Sequence, residues 1–279
     1  MKQISILGCG WLGLPLAKSL LEKDFLVNGS TTSIEKISIL EKAGISAFQI
    51  SLFEDKIEGA MDLFLENSEI LIVDIPPKLR GDSKENFVVK IQNLIPFIEN
   101  STVKKVLFVS STSVYADDDS IITEKTKPHP DTESGKQLLK AEQLLQINKN
   151  FQTTIIRFGG LIGKDRHPIR FLAGRKNVEN PDAPINLIHQ EDCIGIIEAI
   201  VEKGLRTPEV SGQSDTSNFN DVFNAVAAFH PTRKEYYTQK AMELNLPLPE
   251  FKEGDISIGK LISSDKIITK LGYNFKFIP

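Results

Sequence analysis

The sequence predicts an α/β fold: a doubly wound parallel sheet with a small lobe supplied by the C-terminal part of the chain. Two observations point there. Apolar runs of strand length alternate with helical, amphipathic stretches through the first half of the sequence, the pattern of a parallel sheet covered on both faces. The first of these runs passes straight into glycines at 8, 10 and 13, which then open a helix. With 279 residues, 41% of them hydrophobic and 25% charged, the chain is long enough for one large core and a smaller one.

The first strand and its glycines carry the most chemistry. Ile4-Ser5-Ile6-Leu7 is interrupted only by Ser5, as a strand buried on both faces requires, and apolar residues 12, 14, 16, 17, 20 and 21 follow. Gly8 permits a tight turn, Gly10 lets the backbone approach a pyrophosphate, and Gly13 lets the helix lie close on the strand. Free N–H groups and the positive end of the helix dipole then face the phosphates. The expected ligand is a dinucleotide, and its expected binding set here is Gly8, Gly10, Trp11, Leu12 and Gly13. A plain glycine-rich turn shares the spacing but does not need the strand before it or the helix after it.

A second strand is expected over Phe25–Gly29 and a helix over Ile34–Ala43, with Ser33 as its N-cap. The segment between them sets cofactor type. An NAD site places an acid at the end of this strand for the ribose 2′-hydroxyl, whereas an NADP site omits it and supplies hydroxyls or a cation. No acid occurs before Glu35, and Ser30, Thr31, Thr32 and Lys36 can hold a 2′-phosphate, so the sequence favours NADP over NAD. A third strand is expected over Ala47–Ile50 and a fourth over Glu69–Ile75. Pro76-Pro77 cannot continue a ladder, so Ile75 and Pro76 leave the sheet over the cofactor. The polar loop Lys78-Leu79-Arg80-Gly81-Asp82 either folds across the site or lies as plain surface. A helix over Glu85–Ile98 and a fifth strand over Lys105–Val109 follow.

After that strand comes Ser110-Ser111-Thr112-Ser113-Val114-Tyr115. With the N-terminal glycine loop, this stretch resembles the extended and atypical short-chain dehydrogenase/reductase superfamily, the group of nucleotide-sugar epimerases and dehydratases. The resemblance implies an NAD(P)-binding Rossmann fold, with Ser110 near the cofactor and Ser111 as the hydroxyl that hydrogen-bonds the substrate oxygen. Thr154 to Gly163 resembles the superfamily's sixth strand, with Gly160 where an Asn commonly contacts a sugar nucleotide. Asn186 to Asp192 resembles its approach to the next helix, with Asp192 at a helix N-terminus, and Gly259 to Lys266 before Leu271-Gly272-Tyr273 resembles its tail. The likeness spans essentially the whole chain. It implies a Rossmann domain over 1–165, rejoined by 186–204, and a substrate lobe from 166–185 and 205–279.

One departure bears on chemistry. The superfamily's acid/base is a Tyr with a Lys four residues later; a free Tyr has a pKa of about 10 and needs that charge to work at neutral pH. Alignment of Thr132 to Glu142 with this pattern puts Ser134 at the Tyr and Leu138 at the Lys, as in the atypical subgroup. Tyr115 is then a candidate proton carrier or a core aromatic. Tyr236 has Lys240 four residues on, but in the C-terminal lobe, where an exposed helix face is the plainer role. Arg166 and Arg170 can hold a substrate carboxylate or phosphate bidentately, or serve as solvated surface charge.

A formal net charge of -4 and a pI of about 5.7 offer no field for a polyanion, so nucleic acid is not an expected partner. The N-terminus carries neither a cleavage site nor a long apolar segment, which predicts a cytoplasmic protein without a membrane span. Cys9 and Cys193 lack companion spacings for a disulfide framework or a metal. The expected function is an NAD(P)-dependent oxidoreductase or epimerase/dehydratase-like enzyme with a degenerate site, acting on a small polar substrate of anionic or sugar type. The alternative is a non-catalytic NAD(P)-binding redox sensor or interaction module.

Overall fold

The structure, a computed structural model, describes residues 2–77, 79, 85–205, 219–254, 256 and 258–278. Nine strands matter here: β1 (Gln3–Leu7), β2 (Leu26–Thr31), β3 (Ser46–Gln49), β4 (Ser68–Val73), β5 (Lys105–Ser111), β6 (Gln152–Phe158), β7 (Gly160–Ile162), β8 (Leu187–His189) and β9 (Val222–Ala225). The helices are α1 (Gly13–Leu21), α2 (Ile37–Lys42), α3 (Met61–Leu65), α4 (Phe87–Glu99), α5 (Glu133–Gln146), α6 (Ile169–Leu172), α7 (Gln190–Leu205) and α8 (Arg233–Glu243). Among the described residues no helix is long and apolar enough to cross a membrane.

Seven strands form one sheet in the order β9-β6-β5-β4-β1-β2-β3, every neighbouring pair parallel. This is a doubly wound Rossmann sheet, and its strand order reverses between β1 and β4, where Leu7 pairs with Val73. A ligand crevice opens beyond the carboxyl ends of the strands at such a reversal. Side chains of the central strands are buried on both faces. Ile4, Ile6, Ile70, Ile72 and Leu107 join one cluster with α1 and α7, while Leu7, Leu71, Val73, Val106 and Phe108 join another with α4 and α5.

A third, smaller cluster of Ile162, Ile169, Ile185, Leu187, Tyr236, Tyr237 and Ala241 is the core of the lobe. The edge strand β9 belongs to the large sheet, although it comes from the segment 205–279 that the sequence assigns to the lobe. Its apolar side chains Phe223 and Ala225 are buried, and Val222 to Ala225 pair with Ile155 to Phe158. The C-terminal tail is pinned by Asp192, which is fully buried in the first turn of α7. Its carboxylate accepts the Tyr273 hydroxyl at 2.8 Å and the backbone N–H groups of Lys276 and Phe277.

Several boundaries differ from expectation in ways that affect the site. β2 runs on to Thr31 because Ser30 and Thr31 pair with Phe48 and Gln49 of β3. The helix expected from Ile34 begins as a 3-10 turn over Ile34–Lys36 and becomes α2 at Ile37, and the Ser33 hydroxyl bonds Glu35 instead of capping it. β5 likewise runs past Val109 to Ser111, which pairs with Phe158. The loop 78–82, apart from Leu79, lies outside the described residues.

Candidate dinucleotide site

The glycine loop sits at the strand-order reversal, and each glycine there answers to a different neighbour. Gly8 has φ +110°, a conformation open to glycine, and an ideal Cβ on it would lie 2.3 Å from the Asp74 carbonyl oxygen. An ideal Cβ on Gly13 would lie 2.2 Å from the Gly8 carbonyl oxygen, so the first turn of α1 lies directly on the end of β1. Above Gly10 nothing lies within 4 Å of the same construction. That open space beside a helix N-terminus is a cradle of the kind a pyrophosphate fills.

Around this cradle the loop is fastened from three sides. Ser30 Oγ accepts the Gly8 N–H at 3.0 Å, and the Ser30 carbonyl accepts the Cys9 N–H at 2.7 Å. Trp11 donates its indole N–H to Asp165 at 2.9 Å, carries the Arg166 guanidinium over its ring at 5.0 Å, and offers its carbonyl to Gln190 at 2.6 Å. The Leu12 side chain is buried in the core, which leaves only its backbone to face a ligand. Ile75 packs on Gly8, with its Cγ2 3.0 Å from the ideal Cβ, and Pro76 is exposed at the rim.

Of the hydroxyls expected near a 2′-phosphate, two are buried and accept backbone N–H groups. Ser30 holds Gly8, and Thr31 Oγ1 accepts the Ser33 N–H at 3.2 Å. The extension of β2 buries both residues within the sheet. Thr32 and Lys36 remain exposed just beyond the strand end.

Asp74 is a site residue that sequence reasoning misses, embedded as it is in the apolar run that ends at Ile75. Its carboxylate lies against the first turn of α1, with Oδ2 3.2 Å from the ideal Cβ on Gly13. Burial pushes its pKa up to about 8, against the opposing pull of the Gly13 N–H and of Arg166. The one signal the sequence holds is an acid directly after the apolar run Ile70–Val73.

Further along the strand ends, Ser110 and Ser111 point to opposite faces of the sheet, as successive strand residues do. Ser110 is buried and donates to Glu142 Oε1 at 2.6 Å, so its hydroxyl is directed toward α5. Ser111 is part exposed, and its Oγ accepts the Ser113 N–H at 3.1 Å. Glu142 and Arg157 form a buried bidentate pair at 3.0 and 2.6 Å. Arg157 also donates to the Tyr115 hydroxyl at 2.5 Å, and that hydroxyl donates to Asn224 Oδ1 at 3.0 Å. Tyr115 is 2% exposed and its pKa is raised, chiefly by burial. Its hydroxyl is thus engaged on both sides, the arrangement of a core aromatic. Lys260 closes the loop behind it, donating to the Tyr115 carbonyl at 2.7 Å and pairing with Asp117 at 3.0 Å.

Ser134 lies in the first turn of α5, and Leu138, at the position set against the superfamily's Lys, is buried in the core. Tyr236 and Lys240 are adjacent on α8, with the ammonium 5.7 Å from the ring centroid. His167 Nδ1 accepts the Ile169 N–H at 3.1 Å, which makes Nε2 the protonated nitrogen and the donor to the Tyr236 hydroxyl at 2.8 Å. Arg170 is exposed one turn from His167, whereas Arg166 stands on Trp11 beside the glycine loop. The two arginines therefore serve different parts of the surface.

No protein-family model matches the sequence. Protein YeeZ of Escherichia coli K12 is 31% identical over 279 residues, covering 99% of this chain and 97% of that protein. Among solved structures, UDP-glucuronic acid 4-epimerase from Bacillus cereus in complex with NAD superposes with a TM-score of 0.78 at 16% identity, over 99% of this chain and 94% of that one. A short-chain dehydrogenase/reductase superfamily protein from Agrobacterium tumefaciens with bound NAD gives 0.75 at 16%, over 99% and 93%. The chain belongs to the family of Protein YeeZ, and its Rossmann fold is the one seen in solved short-chain dehydrogenase/reductase and NAD-dependent epimerase/dehydratase structures.

Proposed function

We propose that this chain binds a nicotinamide dinucleotide, NADP ahead of NAD, and uses it on a small polar substrate in an oxidoreductase or epimerase/dehydratase-type reaction. The observation that carries the reading is the open cradle above Gly10 at the strand-order reversal, framed by Gly8, Gly13 and the first turn of α1. The backbone at Gly10, Trp11 and Leu12 would hold the pyrophosphate, and Thr32 with Lys36 would meet the adenosine 2′-phosphate. When bound, the nicotinamide supplies or accepts a hydride.

The chain's own contribution to chemistry is narrower. Ser111 accepts a backbone N–H with one lone pair and keeps its O–H for a substrate oxygen at the end of β5. Tyr115 and Arg157 shape that strand end from beneath. Arg166, on its Trp11 platform, supplies positive charge for an anionic group of the substrate or cofactor. With Ser134 and Leu138 in place of the usual acid/base pair, proton movement falls to water or to the substrate itself, and modest turnover is expected. The buried Leu138 also favours a second reading, a module that binds dinucleotide and signals its redox state without turnover.

The deciding experiment is a screen of polar alcohols, carbonyl compounds and nucleotide sugars for cofactor oxidation or reduction, repeated with Ser111→Ala. Turnover lost in the variant with cofactor affinity retained supports the enzyme. Tight binding without turnover on any substrate favours the sensor.

A further inference from the structure

The proposed dinucleotide site leaves Asp74 without a role, and any role for that carboxylate rests on the same site. β1 and β4 lie side by side, so Gly8 and Asp74 leave the sheet together, and the Asp74 carboxylate reaches the first turn of α1, its Oδ2 3.2 Å from the ideal Cβ on Gly13. The N-terminus of a helix carries about half a positive charge. A pyrophosphate seated above Gly10 draws on that same half-charge, which places two anionic groups on one helix end.

The other groups facing Asp74 do little to relieve this. The Cys9 thiol, in the glycine loop, is pushed up to about 12 by burial and by Asp74 itself, and Cys193 on α7 is raised by burial, Asp192 and Asp74. Both thiols therefore stay neutral. Among the described residues, Arg166 from the loop after β7 is the cation that acts on Asp74, and it is exposed and stacked on Trp11. Like charges this close favour a proton on one of them.

We propose that Asp74 is the proton-accepting residue of the dinucleotide site: seating the pyrophosphate on α1 is matched by uptake of one proton from solvent onto the Asp74 carboxylate, so affinity falls as pH rises. The sign follows from linkage. The free protein holds this carboxyl at about 8, and the bound phosphates raise it further. Below that value both states carry the proton and affinity is flat. Above it only the bound state does, and affinity drops by up to about tenfold per pH unit.

The test is calorimetric titration of the full chain with NAD and with NADP, at about pH 7 and about pH 9, each in two buffers of different ionisation enthalpy. The expected result is close to one proton taken up at the higher pH and close to none at the lower. Asp74→Asn, which keeps the shape of the side chain and removes its titration, is expected to bind with no proton uptake and with pH-independent affinity. Equal heats in the two buffers at high pH, or undiminished uptake by Asp74→Asn, would overturn the inference while leaving the cofactor site standing. Failure of both dinucleotides to bind at either pH would overturn the site and this inference with it.

Discussion

A methyl group on Gly13 would stand 2.2 Å from the carbonyl oxygen of Gly8, whereas one on Gly10, three residues earlier, would meet nothing within 4 Å. The same motif therefore contains one glycine required by the packing and one whose Cβ position is open. Gly13→Ala is expected to force helix and strand apart and to destabilise by about 1–3 kcal/mol. Gly10→Val is expected to melt within a few degrees of the parent and to lose dinucleotide binding. Thermal melts beside titrations check both.

Cofactor preference should reside in Thr32 and Lys36, the exposed groups beyond β2, since Ser30 and Thr31 have backbone partners of their own. NADP is expected to bind about tenfold more tightly than NAD, about 1.4 kcal/mol. Thr32→Asp should reverse the order, because the new carboxylate repels a 2′-phosphate and accepts from a 2′-hydroxyl. Ser30→Ala should weaken both cofactors alike by freeing the Gly8 N–H. Parallel titrations of the three proteins give the comparison.

The buried polar network beneath the strand ends makes a prediction about stability. Glu142→Gln removes the charge that holds Arg157 in the core and should cost about 3–5 kcal/mol. Tyr115→Phe leaves an Arg157 N–H and the Asn224 Oδ1 without their hydroxyl partner, at about 1–3 kcal/mol. Ser111→Ala, at a part-exposed strand end, should stay within about 0.5 kcal/mol of the parent. Denaturant unfolding ranks the three. A Ser111→Ala variant as unstable as Glu142→Gln would assign Ser111 to the scaffold rather than to the site.

His167 sets a pH dependence. Burial, with Lys240 and Arg170 nearby, lowers it from the ordinary 6.5 to about 4. A folded-state value below the unfolded one means the unfolded chain binds the extra proton. The contribution is therefore complete above pH 6.5 and is lost as pH falls toward 4. His167→Gln should flatten the stability profile across that window, measured as the denaturant midpoint at each pH.

A sequence shows whatever a single residue imposes on its own backbone or a short period imposes on a face. The glycine loop, the apolar central strands and the order of elements are of this kind. Ser30 reads as a phosphate ligand in the sequence, but the structure sets its hydroxyl against Gly8, 22 residues away. The Ser110, Glu142, Arg157, Tyr115 and Asn224 network draws on β5, α5, β6 and β9 and the loop after β5, and the pairing of His167 with Tyr236 joins positions 69 apart. No local pattern reports such contacts. Asp74 is hidden by its own surroundings, since an apolar run reads as strand and the acid inside it as an interruption. β9 reads as part of the lobe because only its pairing with β6 places it in the sheet.

Titration of NADP and NAD into the full chain and into Gly10→Val decides whether the glycine loop holds a dinucleotide. The open cradle above Gly10 predicts saturable binding to the parent, tighter for NADP, and none to a variant that melts like the parent. Equal affinity in the two proteins, or no affinity in the parent, would contradict the dinucleotide site.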